Sequence, residues 1–514
     1  MNGRLLRCCS LRAGAYSAFA FRSSRPLLRR LSSSPQTCSA VEHHQNLQME
    51  AGTSSIANLD KLDANSVLEP VENTDLEPAL EEPELPPPPP PPPAKAPKGS
   101  PLEWLYSPAQ DLAGTVTYDE ILPSTVPVTT TGGYETLCSY NWVDTKDPTI
   151  IVPGGAAKFG HPTFPVKLMR DKGVSYCDLN RAKAPQQPFK GLFTALQVMS
   201  PNRKLDDVDV ILTRGAFQHL HKFVKSGCSN AFILQMNVVN NKTLIITYRE
   251  ERNKRHNTKK FPSWGHAFEE GFTAYDDELK GSIAHHRAIK YQLGSLTVAV
   301  LHEVDASYSA SYSALSNSPK PVKPSKRGKV FAQKRSGATN LGDVVTSNTD
   351  VAVRLFGTGT AAENVAEMKA TQKALSETGI AGEAKSQCWF GRTGTLIFGI
   401  HENGVFKQHS VRELDFEPWC QNAQISLQKT VSLFETLRTQ TSRIGNCGIA
   451  ILNPKSCTTR LEIWTPNRYI VYPPIPYNTL ERHWTIQNSR TPRGQPLGPR
   501  VQPLGDPAGI FRYR

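Results

Sequence analysis

Eight consecutive prolines, Pro86–Pro93, decide how this chain can be divided. Proline fixes φ and lacks a backbone N–H, so the run can neither continue a helix nor pair inside a sheet; it is a stiff, extended spacer. What precedes it cannot make a core. Residues 50–84 hold ten acids and one lysine and are almost free of aromatics, too little apolar surface to offset the entropy of ordering. At the other end, Gln487–Arg514 is rich in Pro, Gly and Arg and reads as disordered. The expected division is a leader over 1–40, an acidic and proline-rich linker over 41–100, one folded domain over 101–486, and a disordered basic tail over 487–514.

The net charge of +13 is spread unevenly. Met1–Ala40 holds seven arginines (Arg4, Arg7, Arg12, Arg22, Arg25, Arg29 and Arg30) and no acid, with Leu5, Leu6, Leu11, Phe19, Phe21 and Leu27 between them. That composition suits a cationic amphipathic mitochondrial presequence, cut near Arg30–Ser34, and localisation to the mitochondrion is expected, with the nucleus as the alternative. No run approaches the ~18–20 apolar residues of a spanning helix, so no membrane helix is expected. Ten scattered cysteines without a Cys-x-x-Cys exclude a disulfide scaffold and a zinc ribbon.

Within 101–486 the pattern is mixed. Val208–Leu212, Ala231–Asn237, Thr243–Tyr248, Leu296–Val304, Asp350–Leu355, Thr395–His401, Gly448–Leu452 and Thr459–Trp464 read as strands, with Asn240-Asn241 as a hairpin turn. Phe189–Met199, Phe217–Val224, Ala361–Glu377 and Pro418–Arg438 read as helices. The fold class is therefore α+β (mixed α/β), a central mixed β-sheet flanked by helices.

Three short acidic motifs carry chemistry. The apolar run Leu296–Val304 ends in Glu303-x-Asp305, and residues i and i+2 of a strand share a face. Two unpaired carboxylates on one face repel, a conflict that a divalent cation resolves. Glu367-x-Lys369 repeats that spacing with an acid and a base, and Trp264–Glu269 offers a further carboxylate. Singly, each is commonly a solvated surface; their order along the chain is more telling.

That order is Val210-Ile-Leu-Thr-Arg214-Gly215, Trp264-Gly-His-Ala-Phe-Glu269, Glu303-Val-Asp305, Glu367-Met-Lys369, then Gln387-Cys-Trp-Phe-Gly391 running into Thr395–Gly404. It resembles the DXO-type decapping and exoribonuclease family, which has a PD-(D/E)XK-like nuclease core, as a divergent, fungal-type member over roughly 105–470. The resemblance implies that Glu269, Glu303, Asp305 and Glu367 ligate one or two Mg²⁺ or Mn²⁺ ions, and that Glu303, Asp305, Glu367, Lys369 and Gln387 form the catalytic set. Lys369 and Gln387 would orient water or phosphate, and Arg214 would contact a phosphate of an RNA 5′ end. Oxygen-only donors independently select hard cations. The resemblance also requires a strand at Glu367–Lys369, where propensity favours a helix.

Between Glu303-x-Asp305 and Glu367-x-Lys369 lies a long insertion, 306–360. Its stretch Lys320–Arg335 carries seven basic residues, Lys326 and Arg327 among them, and no acid; Arg252–Lys260 adds five more. Cationic loops beside a metal site suit a polyphosphate backbone, so Lys326 and Arg327 are candidate substrate contacts and RNA the expected partner. Tyr308, Tyr312 and Trp389 are candidates for base stacking. His285 and His286 are adjacent on a strand, which predicts one core and one surface histidine. No Asp-Asp-x-x-Asp pair supports all-helical prenyl-diphosphate chemistry, and Gly391–Gly394 is too short for a phosphate loop. The leading expectation is a metal-dependent RNA 5′-end hydrolase (decapping, cap-like nucleotide removal or 5′→3′ exonucleolysis). The competing one is an inactive RNA-binding or partner-stabilising protein of the same fold.

Overall fold

The structure is a computed structural model that describes residues 102–485, apart from 228–229, 250, 252, 258–261, 312–343, 346–350, 373–381, 458, 468–470 and 472–474. The leader, linker and tail, Lys326, Arg327 and Tyr312 lie outside the described residues. In chain order the elements that matter below are β1 (Glu135–Val143), β2 (Thr149–Pro153), α1 (Lys190–Met199), β3 (Val210–Thr213) and α2 (Arg214–Ser226). Next come β4 (Phe232–Val239), β5 (Thr243–Arg249), α3 (Gly265–Phe272), β6 (Ser282–Leu293), β7 (Leu296–Val304) and β8 (Ala352–Phe356). The last are β9 (Val365–Thr371), α4 (Gly382–Gly391), β10 (Thr395–Glu402), β11 (Val405–Glu413), α5 (Gln424–Arg443), β12 (Cys447–Leu452) and β13 (Arg460–Pro466).

Twelve strands form one mixed sheet, in the order Ala109–Thr117, β13, β12, β4, β5, β3, β7, β6, β1, β2, β8, Val344–Val345. Its centre shows why β7 was legible. Val298 and Val300 point into the cluster under α2 and α5, while Ala299 and Leu301 point into the cluster under α1. Both faces are buried, so the strand is apolar throughout rather than alternating. The Asn240-Asn241 turn is confirmed, with φ of 52° and 54° at its two residues, the left-handed pair that a tight hairpin needs.

A second sheet of seven strands runs Thr273–Ala274, Lys158–Phe159, Ala306–Ser307, β9, β10, β11, Val166–Lys167. Phe268 and Phe272 of α3 pack on it with Phe159 and Phe406. Here the helix expected over Ala361–Glu377 is overturned: Val365–Thr371 is a strand, parallel to β10 and antiparallel to Ala306–Ser307. Ala, Glu, Met and Lys are good helix formers, but propensities of under ~1 kcal/mol per residue yield to pairing on both edges.

The insertion is not all loop. Its end supplies β8, which pairs parallel to β2 and extends the large sheet. A backbone clip follows: Gly154 donates to the Phe356 carbonyl (2.9 Å) and Gly359 donates to the Gly154 carbonyl (2.9 Å). Gly357 has φ of +77° and lies so close to Gly154 that a Cβ would collide with it, so only glycine serves there. No helix among the described residues is long and apolar enough to cross a membrane.

Candidate active site

The site lies where β3 and β7, parallel neighbours, reach their carboxyl ends. Thr213, the last residue of β3, caps α2 by accepting from the Ala216 N–H (3.3 Å). That turn places Arg214 as the first residue of the helix, one turn earlier than the helix expected at Phe217–Val224. One strand over, β7 delivers Glu303 at its end and Asp305 just beyond it.

Glu367 is the hub. It is 1 % exposed, in the buried half of β9. Arg214 Nη1 donates to its Oε2 (2.9 Å), and Lys369 Nζ donates to its Oε1 (2.5 Å). Gln387 Nε2 also donates to Oε1. The helix that carries Gln387 is locked from behind: Cys388, Trp389 and Phe390 are buried, and Phe390 stacks on Phe217 of α2 at 4.1 Å. Burial alone would raise the Glu367 carboxyl, but the Arg214 and Lys369 charges outweigh it and hold it at about 2. For Lys369, burial disfavours the cation, yet Glu367 and then Asp305 push it upward overall. Glu367 and Lys369, expected from their spacing to share a face, do meet.

The other carboxylates have no such partners. Asp305 Oδ2 accepts from the Met368 N–H (2.9 Å), tying the end of β7 to β9. Burial, then the Glu367 and Glu269 charges, raise Asp305 well above its ordinary value. Glu303 keeps an open face toward a cleft, but protein surrounds it on its other sides. That burial, and next the Glu269 charge, push it up to about 7. Glu269, on α3, faces His266 at 3.5 Å. All four expected carboxylates thus act on one another. Among the described residues, however, no three His, Cys, Asp or Glu side chains stand together as a ready metal cage. The donor set is all oxygen, and two of its members are driven toward neutrality by burial and by the charge of neighbouring carboxylates. In chemistry it fits a hard divalent cation, with Glu269, Glu303 and Asp305 as the donors and Glu367 already engaged by Arg214 and Lys369.

The cleft beside Glu303 has a volume of about 280 Å³, and Arg181, Arg214, Arg249 and Arg255 line it. Arg255 belongs to the cationic segment Arg252–Lys260 expected beside the site, whereas Arg181 and Arg249 were not singled out, since neither sits in a basic cluster. Other expectations change. Trp389 is fully buried and cannot stack on a base, and Tyr308 packs against Phe159 at 6.1 Å. His285 and His286 are both buried, not one in and one out. The reason is that β6 is sandwiched: His285 Nδ1 pairs with Asn141 Oδ1 (2.6 Å) and His286 stacks on Tyr140 (5.4 Å). Their neighbour Arg287 is buried too. It donates to His302 Nε2 (3.0 Å) and to the Gly391 and Arg392 carbonyls (2.8 and 3.0 Å), capping the carboxyl end of the helix that holds Gln387.

The family model described as "Domain of unknown function (DUF8563)" matches residues 113–473. The chain belongs to that family. Every site residue described above falls inside the matched span, so the arrangement belongs to the family domain and not to its flanking segments. None of the curated proteins matches the chain. Among solved structures, it is similar to Schizosaccharomyces pombe Rai1 in complex with 3'-FADP (10 % identity, TM-score 0.43, covering 68 % of this chain and 98 % of that one). It is also similar to Candida albicans Rai1 in complex with pU5-Mn2+ (11 %, 0.44, 73 % and 98 %) and to K. lactis Dxo1 in complex with manganese (10 %, 0.33, 65 % and 99 %).

Proposed function

We propose that this DUF8563 protein is a metal-dependent hydrolase of RNA 5′ ends, acting by decapping, cap-like nucleotide removal or 5′→3′ exonucleolysis. The observation that carries the reading is the division of labour among four neighbouring carboxylates. Glu367 is ion-paired with Arg214 and Lys369 and hydrogen-bonded by Gln387, while burial and neighbouring carboxylates push Glu303 and Asp305 toward their protonated forms, Glu303 lining an arginine-lined cleft. Glu269, Glu303 and Asp305 would hold Mg²⁺ or Mn²⁺, which when bound supplies a nucleophilic water and charge stabilisation for phosphoryl displacement. Lys369 keeps Glu367 ionised and carries N–H groups beside Asp305 for a phosphate oxygen. Arg214 steadies the same hub and faces the cleft, where a phosphate would meet it. The Arg-rich first forty residues support import into mitochondria, with the nucleus as the alternative site; a reporter fused to residues 1–40 tests this, and diffuse cytosolic fluorescence would count against it.

A second reading, a non-catalytic RNA-binding or partner-stabilising protein, is favoured by one observation: Glu367 is already engaged and, among the described residues, no three ligands stand ready for a metal. One experiment separates them. Wild type and Glu303→Ala/Asp305→Ala are incubated with 5′-triphosphate, 5′-monophosphate and dinucleotide-capped RNAs in Mn²⁺ or Mg²⁺. Cleavage by wild type and none by the double variant supports the enzyme; equal activity or equal inertness refutes it.

A further inference from the structure

The cleft beside Glu303 has a wall that the proposed reaction does not use. It is built from the Cys177–Arg181 segment, the end of β5 and His286 of β6. The segment is held rigidly. Asn180 Oδ1 accepts from Tyr140 Oη (2.6 Å) and Trp142 Nε1 (2.8 Å) of β1. Asn253 clasps the Asp178 backbone from the other side, accepting from its N–H (2.9 Å) and donating to its carbonyl (3.0 Å). Asp178 accepts from the Arg181 N–H (3.2 Å), and Arg181 Nη2 donates to the Tyr248 carbonyl (2.7 Å).

Two buried polar atoms in this wall have no hydrogen-bond partner: Arg181 Nε and His286 Nδ1. His286 is 3 % exposed. A buried polar atom left unpaired costs about 1–3 kcal/mol, so two in one cleft wall, with His286 in its Nδ1–H tautomer, point to a ligand that completes them. Charge says which sign. Arg249 is near enough to work against the Arg181 cation, and Arg214 works against a cation on His286. Four arginines line the cleft against the acids Asp178 and Glu303. Its ligand is an anion, and Arg forks favour phosphate. His219 and Tyr248, stacked at 4.5 Å, line the same cleft and give it a flat aromatic side suited to a base. Register fixes the location. His286 pairs directly with Glu303 across β6 and β7, so the two side chains share a face.

We propose that this wall is a nucleotide phosphate site, in which Arg181 and His286 hold a phosphate adjacent to, but separate from, the carboxylates. The proposal rests on the reading above only for its role, which is to hold a substrate phosphate other than the one attacked.

The test is calorimetric titration in metal-free buffer with adenosine 5′-monophosphate and adenosine. Wild type should bind the nucleotide and not the nucleoside. Arg181→Gln should weaken binding at least tenfold, and Arg181→Lys should recover part of it. Because His286→Ala removes a buried ring, His286→Gln serves as the second variant, with thermal melts to verify folding; it too should weaken binding. Glu303→Gln should bind at least as well as wild type. The dinucleotides pUpU and UpU then tell a terminal phosphate from a bridging one: pUpU alone binding means the former, equal binding the latter. Equal affinity of wild type and Arg181→Gln for the nucleotide, or of wild type for nucleotide and nucleoside, overturns the proposal. Arg181-dependent binding without RNA cleavage would refute the hydrolase reading and leave this site standing; cleavage without such binding would do the reverse.

Discussion

Glu367→Gln isolates the ion network at the hub. The amide keeps the shape and removes the charge, leaving the Arg214 side chain, 11 % exposed, and the Lys369 side chain, 35 % exposed, facing a neutral group. Stripping one partner from a buried pair costs about 3–5 kcal/mol. Most of that belongs to Arg214, since Lys369 reaches solvent and is screened. The acid equilibrium gives a similar size. A carboxyl held at about 2 instead of its ordinary 4.5 contributes about 3 kcal/mol of stability at 1.36 kcal/mol per pH decade. Because the folded value is depressed, that contribution is complete above pH 4.5 and is lost as pH falls toward 2. For a folded body this large, about 3 kcal/mol corresponds to a drop of about 3–6 °C in melting temperature. Scanning calorimetry at pH 7 should show that drop, and wild type and variant should converge as the buffer is taken toward pH 3. A variant melting within a degree of wild type at pH 7, or a gap that persists unchanged in acid, would refute the argument.

Glu303 and Asp305 titrate with the opposite sign. Their raised values mean that the folded chain holds protons more tightly, so wild type should gain stability as pH falls from 8 through about 7 toward 4.5, and Glu303→Gln should flatten that rise in a melting series. Mn²⁺ should raise the melting temperature more at pH 8 than at pH 5.5, where protons compete for the same oxygens, and Glu303→Gln/Asp305→Asn should abolish the difference. At Gly399 of β10 an added Cβ would overlap the Phe268 ring. Gly399→Ala should therefore cost about 1–3 kcal/mol and weaken Mn²⁺ binding by displacing the helix that carries Glu269. Asn241→Gly, at φ of 54°, should stabilise the hairpin by up to ~1 kcal/mol, read from the same melts.

What the sequence displays and what it conceals have separate physical causes. Leu296–Val304 was readable because a strand buried on both faces must be apolar throughout, and the Asn-Asn turn because few residues tolerate its backbone. The order of short acidic motifs located the hub. The long strand β1 was missed, and of its neighbour β6 only the pair His285-His286 was read as strand, although the two lie side by side in the large sheet. β6 carries His285, His286 and Arg287, a triplet that resembles surface, yet all three are buried. Their polarity is satisfied by Asn141, His302 and the end of the helix holding Gln387, contacts made across more than a hundred residues for Asn141 and for Gly391. Hydropathy reports where a side chain would prefer to be, and such distant partners reverse that preference. The strand at Val365–Thr371 was hidden for a similar reason: its composition suits a helix, and only its neighbours on both edges make it otherwise.

The clip between Gly154 and the Phe356–Gly359 segment bears on how this chain can be shortened or grafted. The segment that a sequence comparison would mark as surplus shields Ile150, Ile151 and Val152 of β2, all buried. Excising 306–360 whole would expose that row of unpaired peptide groups, and a long apolar edge invites a second molecule to add its own strand. Such a truncation would fail as a soluble monomer for reasons unrelated to chemistry at Glu367. A shortened chain intended for crystallisation or transplantation has to keep Ala352–Thr360 and its two glycines.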